Sequence, residues 1–382
     1  MRSLLPLLVI ARGFLGCNGL AFAPSLPHSA KHSTARHRGR DRPRLFFLFM
    51  TDAELPNEDI WLDFFASAAA ESDFKAFVHC EDEDVCQNNI RNKEIFSIIP
   101  TVASEWCYNL VGPMDALLDA ALSQGGKGHI GDKFVFVSGT TVPVKPFAHV
   151  HDALITQAGT RSNFCITTQR LWAWYRERDV AVKHHQWMVL SRAHAATIVS
   201  KRKDERDLLA HMTTLHWLGT MHVAPVIHKT ASSLHLPHVP FAQGCLDEYL
   251  YFGLLYGFLR EEEYDSGAVR LDMTGGPLVT IGNASSDLQG RCDTFATFGQ
   301  DGTNFTQLTH LLSEDPSTHL SPVGQGTWGP IHPVRFLQLS RTSLLQLRGS
   351  TFLFARKVDA STTYSGNITL TRAFRDLIFS DT

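Results

Sequence analysis

From Arg44 onward the apolar residues fall into two recurring patterns. Leu45-Phe46-Phe47-Leu48-Phe49-Met50 is an unbroken apolar run of strand length ending at Thr51-Asp52. Phe74-Lys75-Ala76-Phe77-Val78-His79, the stretch from Ile95 to Ile99, and Lys133-Phe134-Val135-Phe136-Val137-Ser138 have the same character. Between them lie segments with apolar residues at helical spacing: Pro56 to Ala70 through Ile60, Phe64 and Phe65, and Pro113 to Leu122 through Met114, Leu117, Leu118 and Ala121. A strand without a polar face must be covered on both sides. Alternation with amphipathic helices therefore predicts an open, twisted α/β sheet with helices on both faces. Ligands of such sheets bind beyond the carboxyl ends of the strands. That points to Thr51-Asp52, His79 to Asp82, and Ser138 to Thr141.

The pattern is less regular afterwards. A charged helix is predicted near 168–182, and Ser191 is placed to cap a helix running to Lys201. Residues 202–240 are His-rich and irregular, 265–330 read as long loops, and a last ordered piece spans Ile331 to Asp359. Within this half, Asp247-Glu248 stand at the head of the apolar run Tyr249 to Leu255, which reads as a buried helix. Two acids there either cap the helix or place a base at the rim of a cleft.

Composition changes this picture only at the N-terminus. The chain has 382 residues, 44% hydrophobic and 19% charged, with a net charge of −3. That is ordinary globular composition, and no overall charge argues for nucleic acid. Residues 1–23 carry a short basic start and an apolar stretch broken by Arg12, too short and too polar in the middle for an evident span. A signal peptide is expected, with a signal-anchor giving membrane attachment through the N-terminus as the alternative. Ala21-Phe22-Ala23-Pro24 also fits a plastid leader. Residues 24–43 are basic and nearly free of aliphatics, a stem or linker, leaving 44–382 as the folded domain. Sequons at Asn283, Asn304 and Asn367 suit a lumenal or secreted protein. Seven cysteines show no C-x-x-C spacing, so zinc is not expected; outside the leader six remain for disulfides.

Several strings can be discounted. Glu81-Asp82-Glu83-Asp84 contains an Asp-x-Asp pattern able to hold Mg²⁺ or Mn²⁺ on a nucleotide sugar, but an acidic loop after a strand is the simpler reading. Gly324-Gln325-Gly326-Thr327-Trp328-Gly329 matches a dinucleotide fingerprint as a string, yet runs into Pro330 instead of a helix. The histidine pairs lack a carboxylate on a shared helix face, so no metal ligands are expected among them. Arg335, and Lys357 at the end of the run Phe352-Leu353-Phe354-Ala355-Arg356-Lys357, are cations able to neutralise a diphosphate if both face one site.

These segments, in this order, resemble the core-2/I-branching β-1,6-N-acetylglucosaminyltransferase family, especially its plant and algal branch. The resemblance is carried by Leu45 to Thr51 with Pro56 and Trp61, Phe77-Val78-His79, Val111 to Leu122, and Phe134 to Pro143. It continues through Lys183, Gln186-Trp187, Asp247-Glu248, Trp328-Gly329-Pro330 with His332-Pro333, and Phe352-Leu353-Phe354-Ala355-Arg356-Lys357. It covers roughly residues 44–360. It implies a GT-A-like fold, one catalytic domain with a loop-rich C-terminal part, and an inverting enzyme of the Golgi lumen or membrane. It implies no cofactor and no metal. The expected partners are a UDP-sugar donor (N-acetylglucosamine, xylose or glucuronic acid) and a glycan or glycoprotein acceptor. By the same resemblance Glu248 is the base with Asp247 beside it, and Arg335 and Lys357 bind the diphosphate. Gln186, Trp187, Ser138, Thr140 and Thr51 line the substrate site, with Trp187 as a candidate sugar platform. The strand-end motif Ser138-Gly139-Thr140-Thr141 and His184-His185 depart from the family pattern, so a carbohydrate- or UDP-binding pseudoenzyme is the alternative.

Overall fold

The computed structural model describes residues 42–104, 110–124, 128–173, 179–201, 246–256, 259–260, 269–270, 280–281, 288–297, 303–322, 324–326 and 329–380. These all belong to one unit, Gly39–Thr382. The expected leader, and the stem as far as residue 41, lie outside the described residues.

The first apolar run is strand β1 (Leu45–Thr51), and the next ones are β2 (Phe74–Cys80), β3 (Phe96–Ile98) and β4 (Lys133–Ser138). β1 pairs in parallel with β2 on one side and β4 on the other, and β3 continues parallel to β2. Two further short strands, Val142–Pro143 (β5) and Ser162–Asn163 (β6), precede an antiparallel hairpin of β7 (Ile166–Ala173) and β8 (Asp179–His184). Next comes β9 (Val189–Ser191), antiparallel to both β4 and β6. The seven-stranded sheet thus runs β3-β2-β1-β4-β9-β6, ending at Leu288–Gln289. This is a mixed α/β sheet, as the alternation of strands and helices predicts. The chain winds outward from β1 through β3 and then returns to β4, so its switch point lies between β1 and β4.

The alternation within β1 explains both covered faces. Phe46, Leu48 and Met50 join helix α3 (Val111–Gln124) and Phe134 and Phe136 in one core cluster. Leu45, Phe47 and Phe49 face the other way, onto Trp61, Phe64 and Phe65 of α1 (Glu58–Ala66). Each fully buried phenylalanine contributes roughly 1.5–3 kcal/mol, so moving β1 by one residue would exchange the two cores at prohibitive cost.

Helix α1 also braces the sheet end. Asn57 Nδ2 donates to the Val358 carbonyl (2.6 Å) and Trp61 Nε1 to the Thr141 carbonyl (2.9 Å). Helix α2 (Glu83–Asn89) starts at Asp82, whose Oδ1 accepts from Val85 N (3.0 Å). The Cys80–Cys86 disulfide ties this helix to the end of β2, and Cys165–Cys292 links the sheet to the C-terminal part. Cys107 and Cys245 lie outside the described residues.

Three expectations need correction. The segment read as a charged helix near 168–182 forms the β7–β8 hairpin, with Leu171 opposite Ala181 and Trp172 opposite Val180. Within the stretch read as loops, Thr303–Glu314 is a helix that turns Phe305, Leu308 and Leu312 into a third core with Leu344 and Leu347. Order also continues past Asp359, to a helix at Leu370–Phe374 capped by Thr369 Oγ1 accepting from Arg372 N (3.2 Å). The glycine-rich string pairs Gly324–Gly326 with Gly329–His332 as a hairpin, with no phosphate-binding helix behind it. No described helix is long and apolar enough to cross a membrane.

Candidate functional site

The sheet end at the switch point is built first. Gly139 N donates to Met50 O (3.0 Å), so the turn after β4 lies against the end of β1. A Cβ at residue 139 would collide with Thr51 Oγ1, which is why only glycine fits there. Thr51 Oγ1 itself donates to the Glu54 carbonyl. Ser138 Oγ shares hydrogen bonds with Thr140 Oγ1 (3.2 Å) and Thr141 Oγ1 (2.9 Å), and Ser138 N donates to Thr141 Oγ1 (3.1 Å). The turn is therefore a self-satisfied hydroxyl ladder. Of the predicted substrate residues, Thr51, Ser138 and Thr140 are brought together here.

The cations arrive from the C-terminal part. The short strand Phe354–Ala355 pairs with β5 and with Thr294–Phe295, and Val358 N donates to the Thr140 carbonyl (2.9 Å). That bond carries Lys357 to the switch point. Burial, with Arg356 and Arg335 close by, pulls the Lys357 ammonium down to about 8; Asp52 and Asp359 act in the opposite sense. Arg335 stands beside it across a backbone pair, Phe336 N to Lys357 O (2.9 Å), but is exposed and lies 3.8 Å from Asp359 Oδ2. The sequence-predicted pair of cations is thus assembled, with Lys357 the more enclosed of the two.

The acids sit in a single 3₁₀ turn, Leu246–Glu248, directly before helix α6 (Leu250–Tyr256; Phe147–His151 and Arg192–Lys201 being α4 and α5). Glu248 is partly exposed and paired with Lys183 at 3.3 Å. Asp247 is buried, and its Oδ1 has no hydrogen-bond partner. Burial, reinforced by the charge of Glu248, raises the Asp247 carboxyl to about 7. The two neighbours therefore differ in setting: Asp247 is buried with Oδ1 unpartnered, while Glu248 is partly exposed and held by Lys183.

The end of β8 and the residues after it carry the next group of side chains. His184 Nδ1 donates to the His185 carbonyl (2.9 Å), which leaves Nε2 as an acceptor without a partner. Burial brings its imidazole down to about 4, so the ring is neutral. Gln186 Nε2 is buried and unpartnered as well. Trp187 is 8% exposed, and the Arg356 guanidinium lies over its ring at 4.1 Å. The reading of Trp187 as a sugar platform is corrected on that ground: this indole face holds an arginine. Arg356 is the functional candidate that the sequence does not single out. Its burial lowers the guanidinium to about 9 while the charge of Glu248 acts to raise it.

The acidic run after β2 lies apart from this cluster in character. Asp52, Ala53 and Glu81 to Asp84 line a cavity, but Asp82 caps α2 and Glu83 accepts from Thr101 N (3.0 Å). Among the described residues no group of three or more His, Cys, Asp or Glu is placed to hold a metal ion.

No protein-family model matches this chain. No curated protein matches it either. Among solved structures it is similar to the crystal structure of 4-diphosphocytidyl-2C-methyl-D-erythritol synthase, at 12% identity and a TM-score of 0.27, over 56% of this chain and 99% of that one. A likeness at that level fixes neither activity nor ligand.

Proposed function

We propose that the chain is an inverting glycosyltransferase that moves a sugar from a UDP-sugar to a glycan hydroxyl without a metal. The observation that carries this reading is the link between acid and cations. Glu248 pairs with Lys183, Arg356 lies over Trp187 in the segment that follows that lysine, and the next residue, Lys357, lies at the switch point where α/β sheets bind ligands. Glu248 removes the proton of the acceptor hydroxyl as its oxygen attacks the anomeric carbon. Lys357 and Arg335 stabilise the charge gathering on the departing UDP. Lys183 orients the Glu248 carboxylate until acceptor binds. Asp247, buried and with its carboxyl raised to about 7, supports the turn. The turn after β4 carries hydroxyls where a metal-binding carboxylate would otherwise stand, which suits charge neutralisation by fixed cations. The N-terminal resemblance to a leader and the exposed sequon at Asn367 favour the secretory pathway, with the Golgi as the site of such transfers.

The test is stereochemical. NMR of the first-formed product should show the anomeric configuration opposite to that of the donor, and Glu248→Gln should form that product about 10²–10⁴-fold more slowly. Retention of configuration would overturn the reading.

A further inference from the structure

Four of the six buried side-chain polar atoms without partners among the described residues lie on the turn that carries Glu248, on the segment after its partner Lys183, or on the arginine stacked over that segment's Trp187. Among the described residues His184 Nε2, Gln186 Nε2, Asp247 Oδ1 and Arg356 Nε are all of this kind. Leaving one such group unsatisfied costs about 1–3 kcal/mol; of the remaining two among the described residues, Asp293 Oδ1 lies 2.8 Å from Arg291 Nε and Gln346 Oε1 is on the helix Arg341–Gly349. Arg356 is also held rigidly: its backbone N donates to Phe295 O (2.9 Å) and its guanidinium rests on Trp187. A cation fixed in this way is preorganised for a ligand and gives up little freedom on binding.

We propose that Arg356 and Gln186 form a donor pair that hydrogen-bonds an oxygen substituent of the sugar being transferred. This rests on the glycosyltransferase reading above. Arg356 offers only N–H groups and Gln186 Nε2 only donates, so the atom they take is an acceptor: a hydroxyl, carbonyl or carboxylate oxygen. The surroundings of the two adjacent cations divide the labour between them. Lys357 stands at the sheet end with Arg356, Arg335, Asp52 and Asp359 acting on it, whereas the Arg356 guanidinium lies over Trp187, in the segment that follows Lys183, the partner of Glu248. In-line displacement requires the sugar to lie between the base and the leaving diphosphate, and Arg356 joins the segment that holds Glu248 through Lys183 to Lys357, the residue that meets the diphosphate. Trp187 then serves as the shelf for Arg356, and specificity for the donor sugar follows from the geometry of that shelf.

Calorimetry on the full chain decides it, with UDP, UDP-N-acetylglucosamine, UDP-xylose and UDP-glucuronic acid as ligands. In the wild type at least one UDP-sugar should bind about fivefold or more tightly than UDP. Arg356→Lys, which keeps the charge but loses the planar fork, should weaken that UDP-sugar by about tenfold or more. Gln186→Leu should weaken it severalfold. UDP alone should shift by less than about twofold in both variants, which also reports that they fold. Equal losses for UDP and UDP-sugar would assign Arg356 to the diphosphate and overturn the proposal. So would unchanged binding in both variants, or a wild type that prefers no UDP-sugar over UDP. If the wild type does not bind UDP at all, the glycosyltransferase reading itself fails.

Discussion

The two halves of the site are built on opposite principles. At the sheet end, Thr51, Ser138, Thr140 and Thr141 bond to one another and to nearby carbonyls, and Asn57 and Trp61 brace the backbone from α1. Around Glu248 the buried atoms of His184, Gln186, Asp247 and Arg356 lack partners. A protein this thorough in one place has a reason for being incomplete in another. The satisfied half is scaffold that fixes where the cations stand. The unsatisfied half keeps its hydrogen-bonding capacity for a ligand.

Breaking the reactive half should give the largest effect. Glu248→Gln is expected to lower transfer by about 10²–10⁴-fold with UDP affinity within about twofold of wild type, measured by product formation and calorimetry. Removing the cations should do the reverse. Lys357→Met should weaken UDP by about tenfold or more, and Arg335→Met by less, because Arg335 is exposed and already close to Asp359. Lys357 also sharpens the comparison through pH. With its ammonium near 8 in the free protein, it is charged below that pH and neutral above it. UDP affinity should therefore fall as pH rises from 7 to 9, and Lys357→Arg should flatten the fall.

How much of this was legible in the sequence follows from the range of the interactions. β1 to β4, α1 and α3 announce themselves because their apolar runs are local signals. The β7–β8 hairpin does not: its charged residues suit a helix as well as a strand, and only pairing across the turn decides. The helix at Thr303–Glu314 hides because Thr306, Gln307 and Thr309 dilute the spacing of Phe305, Leu308 and Leu312. Glu248, Arg335 and Lys357 stand out through family resemblance. Arg356 does not, since its partner Trp187 lies far upstream in sequence. Nor can a sequence show that Trp187 is occupied by an arginine.

Stability should separate the halves as well. Asp247 has a folded-state carboxyl near 7 against an ordinary value of about 3.9 unfolded. The folded state holds the proton more tightly, so this group's contribution is full below about pH 4 and is lost as pH climbs to 7. Asp247→Asn removes that loss, and its advantage over wild type in urea midpoint should grow from pH 5 to pH 8, by at most about 1.4 kcal/mol per unit. The smallest effect belongs to the scaffold. Trp61→Phe leaves the Thr141 carbonyl without its donor and should lower stability by about 1–3 kcal/mol, with UDP affinity nearly unchanged.

The most direct measurement is UDP release by the purified protein across a panel of UDP-sugars, in EDTA and then with Mn²⁺, for wild type and Glu248→Gln. The expected result is turnover of one donor in EDTA that disappears in the variant. Turnover that requires Mn²⁺, or that survives the loss of Glu248, would contradict the assignment of base and cations made here.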